Sequence, residues 1–324
     1  MRTKLLIATL CVAIASFLVA FGGIAQVSTS SAQPPSNAHE DGAPVGDARG
    51  LETPQSPSEG QMLIRQAEAT LQRHHTISSQ ITQKSHLLGC EVIGSGAYFE
   101  QRSNQGLRFR LELNVQTRDD KLASGLLQVC DGRFLWNYRK LRGKENLSCV
   151  DYALVQQRLE QEGMRTVRIL DHWPGLGGLP KLLRSFDKAF VFGKPEGVEL
   201  QDDFPAWKVE GHWRPEMLAK AVPEHKEAIE KGRGVDLEDL PEHLPNCVVL
   251  FLGKDDLFPY SIVYYRLDGN TSQVTASPYD TSIVKINMTN VRFNTRIHAA
   301  QFVYKPSLKY TDDTEQMLEK LGLQ

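Results

Sequence analysis

Several patterns that mark enzymes are missing from this sequence. There is no Gly-x-Ser-x-Gly, no His-Glu-x-x-His and no P-loop, which removes the usual sequence grounds for a serine hydrolase, a zinc protease or a nucleotide-binding reaction. No two cysteines form a CxxC pair, so zinc-ribbon and thioredoxin-like chemistry lack support. His172 and His212 precede tryptophans, and neither shows a carboxylate or cysteine at a spacing that marks a metal site. The sequence therefore predicts no metal and no cofactor. Charge of one sign is also missing. The 37 Lys+Arg balance 39 Asp+Glu, for a net charge of -2, which excludes a polybasic surface for nucleic acid or anionic membrane. The Gly175-Leu176-Gly177-Gly178 run follows Trp173-Pro174 and reads as a loop or helix start rather than a phosphate cradle.

The composition is that of a folded chain. Of 324 residues, 41% are hydrophobic, enough to bury a sizeable core. The N-terminus reads as an export signal over residues 1–25. Arg2 and Lys4 are followed by an uncharged run from Leu5 to Ala25, the basic-then-apolar order of such signals. Cleavage after Ala25 or Ala32 and retention as an N-terminal anchor are both open, because the run approaches the roughly 20 residues that span a bilayer. Cys11 lies inside the run after the bulky Leu10 and reads as a hydrophobe rather than a lipidation site. Residues 26–59 are rich in Ser, Pro, Gly and Ala. They cannot bury enough surface to offset chain entropy and read as a tether.

Four cysteines remain, Cys90, Cys130, Cys149 and Cys247. In an oxidising compartment they permit two disulfides in three pairings; buried free thiols are the alternative.

Periodicity organises residues 60–324. Ser58 to His74 has Leu63, Ile64, Ala67 and Leu71 on one helical face. From Thr76 to Asp151 the period falls to two. The runs Ile77–Leu87, Glu91–Arg102, Leu107–Gln116, Leu122–Val129 and Arg133–Lys140 are separated by turn residues such as Asp131-Gly132, a dipeptide tolerant of positive φ. Phe109, Leu111 and Leu113 alternate with Arg108, Arg110 and Glu112, the signature of a strand with one buried face. Short helices are predicted at Val155–Gly163 and Leu179–Ala189, and strands at Phe190–Gly193 and Ala206–Trp213. Glu216–Lys231 is helical, opened by Pro215 and interrupted by Pro223. Strands follow at Cys247–Leu252, Tyr260–Leu267, Val284–Val291 and Gln301–Tyr304, then a helix at Thr314–Leu321. This order predicts an α+β fold, an unclosed antiparallel β-barrel or curved sheet with helices over one face.

Within that order several segments resemble the LolA-like periplasmic carriers of outer-membrane lipoproteins. They are Thr82-Gln83-Lys84 at the end of the first strand, the Gly94 to Arg102 stretch with its Gly-x-Gly, the Cys130 to Tyr138 hairpin, and Ala299 to Pro306 near the end. The set spans Gln61 to about Thr314. Two departures stand out: Ser103 follows Arg102 where the family has proline, and a polar insertion occupies about residues 214–245.

The resemblance implies an open barrel with a helical lid, and a non-enzymatic binder or carrier of lipid or lipoprotein acyl chains. It implies a periplasmic or other extracytoplasmic location, with envelope membrane proteins as further partners. The apolar strand faces supply the candidate cavity residues Phe99, Phe109, Leu111, Leu126, Leu135, Trp136 and Tyr138. By its match, Arg102 gates the lid or contacts a headgroup; a guanidinium has five donors for either task. A membrane-tethered envelope sensor or protein-docking module is the alternative on the same fold.

Overall fold

The computed structural model describes residues 57–87, 90–103, 106–117, 124–141, 144–161, 178–232, 235, 239–241, 244–266 and 282–323. The signal segment, nearly all of the tether and the Gly175–Gly177 run lie outside them. Helix α1 spans Glu59–Gln72, and Ser58 caps it by accepting a hydrogen bond from the Gln61 N–H at 3.1 Å. That bond satisfies one of the orphan donors every helix start carries. Ile64, Ala67 and Leu71 are its fully buried stripe.

The meander then appears as β1 (Thr76–Leu87), β2 (Cys90–Ser103), β3 (Gly106–Thr117), β4 (Ser124–Cys130) and β5 (Phe134–Leu141). A sixth strand, β6 (Lys144–Asp151), continues it; its solvent-facing first half hides the alternation in the sequence. Gly132 takes φ +100° at the β4–β5 turn, which is why Asp-Gly marks that turn. Helix α2 (Tyr152–Gln161) follows, then α3 (Gly178–Ala189), β7 (Phe190–Phe192), β8 (Glu196–Glu199) and β9 (Pro205–Trp213). Short helices α4 (Pro215–Ala221) and α5 (Lys226–Glu230) flank a 3-10 turn at Pro223–His225. β10 (Cys247–Gly253), β11 (Pro259–Tyr265), β12 (Ser282–Phe293), β13 (Thr311–Asp312) and α6 (Thr314–Lys320) complete the chain.

All these strands form one sheet in the order β13-β6-β5-β4-β3-β2-β1-β12-β11-β10-β9-β7, with β8 also on β9. Every pairing is antiparallel except that of β13 with β6. The terminal strands β13 and β7 do not pair with each other, so the sheet is unclosed. This is the α+β arrangement expected above. One row of residues across the sheet shows its register: Ile81 faces Gly96, Gly96 faces Leu113, and Leu113 faces Leu126. At Gly96 a Cβ would fall 1.8 Å from the Glu112 carbonyl oxygen, so only glycine permits this approach of β2 to β3.

The two sheet faces differ. On the inner face, Ile77, Ile81, Val209, Val248, Leu250, Ile262 and Ile286 pack with α1 and α3. Further along the same face, Phe109, Cys130, Leu135 and Val150 pack with α2 and α6. Strand alternation sends the intervening residues to the outer face, where two smaller apolar clusters form around Trp136 and around Cys247.

One expected strand is absent. Gln301–Tyr304 is not a strand: Ala299–Phe302 forms a 3-10 turn. Its apolar residues pack without a ladder partner, Phe302 at 2% exposure and Tyr304 against Trp136. The polar segment at about 214–245 also contributes to the core. Ala219, Val222, Ile229, Leu240 and Leu244 are buried in the main core. The segment is anchored by Trp213, whose indole N–H donates to the Pro245 carbonyl at 2.7 Å, and by Arg266, which donates to the Leu240 carbonyl at 2.8 Å.

Candidate ligand-binding face and its latch

The seven predicted cavity residues divide between the two faces. Phe109, Leu111, Leu126 and Leu135 face the helices: Phe109 lies opposite Cys130, Leu113 opposite Leu126, and Cys130 opposite Leu135. Phe99 is opposite Arg110, Trp136 opposite Val129, and Tyr138 opposite Leu127. These three belong to the outer face. The correction follows from the pleat, since neighbours such as Leu135 and Trp136 point to opposite sides of a strand. Trp136 instead packs under the C-terminal segment, 5.6 Å from the Tyr304 ring and 5.0 Å from the Tyr310 ring.

Helix α3 covers part of the inner face. Leu179, Leu182, Leu183, Phe186 and Ala189 recur at helical spacing and are all buried. Polar contacts tie α3 to α1. The Gln61 amide donates to the Asp187 carbonyl at 2.7 Å, Arg65 pairs with Asp187 at 3.0 Å, and Arg184 donates to Glu68 at 2.7 Å.

The N-terminal end of α3 is held by a buried carboxylate. Glu100 is 1% exposed. It accepts hydrogen bonds from the Tyr98 hydroxyl, from Arg102 Nε at 2.7 Å and from the Leu179 backbone N–H at 3.2 Å. Leu179 N also donates to the Tyr98 hydroxyl oxygen at 3.1 Å. Three donors thus meet one carboxylate at a helix start, where the exposed N–H groups and the helix dipole favour negative charge. Gly178 takes φ +68°, and a Cβ there would fall 2.2 Å from a Glu100 carboxylate oxygen; glycine is required on both counts. Burial, followed by the Glu100 charge, pushes the Tyr98 phenol well above its ordinary range, so it stays a donor.

Arg102 therefore lies beside the start of α3. It is bound to a carboxylate that in turn holds the helix start. Sequence reasoning singled out Arg102 and passed over Glu100 and Tyr98. The signal was available: Tyr98, Glu100 and Arg102 are two apart on one strand and share a face. Lys181 was also missed. It is half-buried on α3, and burial, then the positive charges of Arg184 and Arg102, lower its ammonium to about 8. The inner face carries further polar groups: Gln128 donates to Asn137 at 2.7 Å and Gln83 to Ser85 at 2.8 Å. Among the described residues, Ser79 Oγ and Gln83 Oε1 are buried without a hydrogen-bond partner.

Cys130, Cys149 and Cys247 are buried free thiols. They occupy three separate apolar clusters, Cys130 on the inner face with Leu135 and Cys149 on the outer face with Trp136. This separation is why no bridge joins them. The Cys90 side chain is outside the described residues. His212 departs from expectation. Glu210, His212 and Cys247 bring their ligand atoms within 4.8 Å of one another. The sequence concealed this because Cys247 comes from the neighbouring strand.

No protein-family model and no curated protein matches this chain. Solved structures similar to it include LprF from Mycobacterium bovis, at 16% identity over 75% of this chain and 97% of that one, TM-score 0.34. A LolA superfamily protein from Nitrosomonas europaea is similar at 9% identity over 76% of this chain and 97% of that one, TM-score 0.26. The Pseudomonas aeruginosa MucA/MucB complex is similar at 10% identity over 76% of this chain and 62% of that one, TM-score 0.34. Among the described residues no helix is long and apolar enough to cross a membrane.

Proposed function

We propose that this protein is an exported, non-enzymatic binder of lipid or lipoprotein acyl chains, with α3 as the movable cover of the sheet's inner face. The observation that carries this reading is the way α3 is held. Its buried side, Leu179, Leu182, Leu183 and Phe186, is apolar surface that an alkyl chain can replace without geometric demands. Its start is fixed at one polar cluster, Glu100 with Tyr98. Each methylene transferred from water gains about 0.8 kcal/mol. A chain of roughly 14 methylenes gains on the order of 10 kcal/mol before ordering costs. That is comparable with the apolar contacts such a helix gives up when it lifts.

Arg102 and Lys181 add positive charge beside the latch, suited to a phosphate or carboxylate headgroup. Ser79 and Gln83 provide buried polar atoms that a ligand carbonyl, amide or water can satisfy. The N-terminal signal directs the domain out of the cytoplasm and so to a compartment where such chains need a carrier.

The test uses the protein exported and purified without detergent. Native mass spectrometry reports co-purifying lipid, and a fluorescent fatty acid reports uptake. Hydrogen bonds to a charged group contribute about 1.5–3 kcal/mol. Glu100→Gln is therefore expected to raise the rate of probe uptake roughly tenfold or more, and to speed amide exchange in α3. An apo mass together with no saturable uptake in either protein would overturn the reading.

A further inference from the structure

The outer face carries a second set of groups that the acyl-chain reading does not use. Glu210 and His212 are two apart on β9, so both side chains leave the same face of the strand. Cys247, the first residue of β10, is directly opposite His212 in the antiparallel register. Nε2 of His212 is 3.0 Å from Oε1 of Glu210, and the three potential ligand atoms all lie within 4.8 Å of one another. We propose that Glu210, His212 and Cys247 form a mononuclear site for a divalent transition cation of zinc type.

Imidazole, carboxylate and thiolate are the donors such ions prefer, and three protein ligands leave a fourth tetrahedral position to water. The set is graded in exposure. The Cys247 residue is fully buried, while the side chains of Glu210 and His212 are 22% and 61% exposed. An ion can therefore enter from the His212 side and meet the sulfur last. Val249, Val263, Phe251 and Tyr265 make an apolar floor around the thiol, which lowers the local dielectric and strengthens attraction between ion and ligands. Other charged or titratable groups near the set are Lys208 on β9, whose ammonium is 3.4 Å from Glu196, and Tyr265, opposite Cys247 on β11. The site lies on the sheet face opposite α3, so it does not depend on the lid.

Full-length protein is titrated with Zn2+ by calorimetry and with Co2+ by absorption. The expected result is one saturable site per chain, with a thiolate-to-cobalt charge-transfer band in the near ultraviolet. Cys247→Ser abolishes the band. His212→Ala, at an exposed position that does not threaten folding, weakens affinity by more than the about 10- to 100-fold expected for loss of a supporting partner. Glu100→Gln leaves binding unchanged, so failure of this proposal and failure of the acyl-chain reading are separable. If Cys247→Ser does not fold, His212→Ala decides. No saturable binding, or binding and a band unaltered in His212→Ala, would overturn the proposal.

Discussion

The inner and outer faces of the sheet are built from the same strands and differ in what seals them. The inner face is covered by α1, α3, α2 and α6 and holds nearly all the large, fully buried side chains, including Phe186, Phe190, Phe192 and Leu183. The outer face mixes charge pairs such as Arg110–Glu112 with two apolar islands. One island is sealed by the rings of Tyr304 and Tyr310; the other carries Glu210 and His212 at its edge. Burial on the inner face therefore comes from whole helices packed on the sheet, whereas the outer islands are closed by single side chains.

Substitutions can break this contrast. Phe186→Ala removes a ring at 1% exposure from beneath α3 and is expected to cost about 3–5 kcal/mol in denaturant unfolding. Trp136→Ala on the outer face should cost roughly half that, because the ring, at 9% exposure, packs in a small cluster rather than in the main core. Its sharper effect should be faster proteolysis between Ala299 and Tyr310, with amide exchange in α3 unchanged. Equal losses for the two variants would contradict a division of labour between the faces.

Lys181 tests the electrostatics of the lid. Its folded value of about 8 lies below the ordinary 10.5, so between these pH values the unfolded chain holds the proton and the folded chain does not. Stability rises with pH in that window as the burial penalty on the charged form is relieved. Lys181→Met should be the more stable protein at pH 7, and its advantage should shrink as pH rises from about 8 to 10.5. An advantage that stays constant across that range would show the ammonium to be well solvated. The smallest effect is expected for Arg110→Ala, which breaks a pair half open to water; exposed pairs of this kind contribute under about 1 kcal/mol.

Local patterns carried far into the fold. The helical periodicity read over Ser58 to His74 marked α1 to within a residue at its start. The alternation through Leu111 and Leu113 marked β3, and Pro215 with Pro223 marked the split between α4 and the turn after it. Gln301–Tyr304 misled because the aromatic and β-branched residues there pack onto the core and onto Trp136 without a ladder partner. The site was less legible than the fold. Arg102 stood out by resemblance, but its meaning depends on Glu100, a residue that looks like solvent-facing charge until α3 is laid over it.

The sequence by itself determined most of the helices and strands and the alternation of strands such as β3, because period and turn chemistry act over a few residues. Only the tertiary structure decided which face the helices cover. It alone set Leu135 under the helices and Trp136 on the other side, and joined Glu100 to a helix start 79 residues away and His212 to Cys247 across two strands. Those relations come from strand order and register, which are fixed by long-range burial and are written in no single segment of the chain.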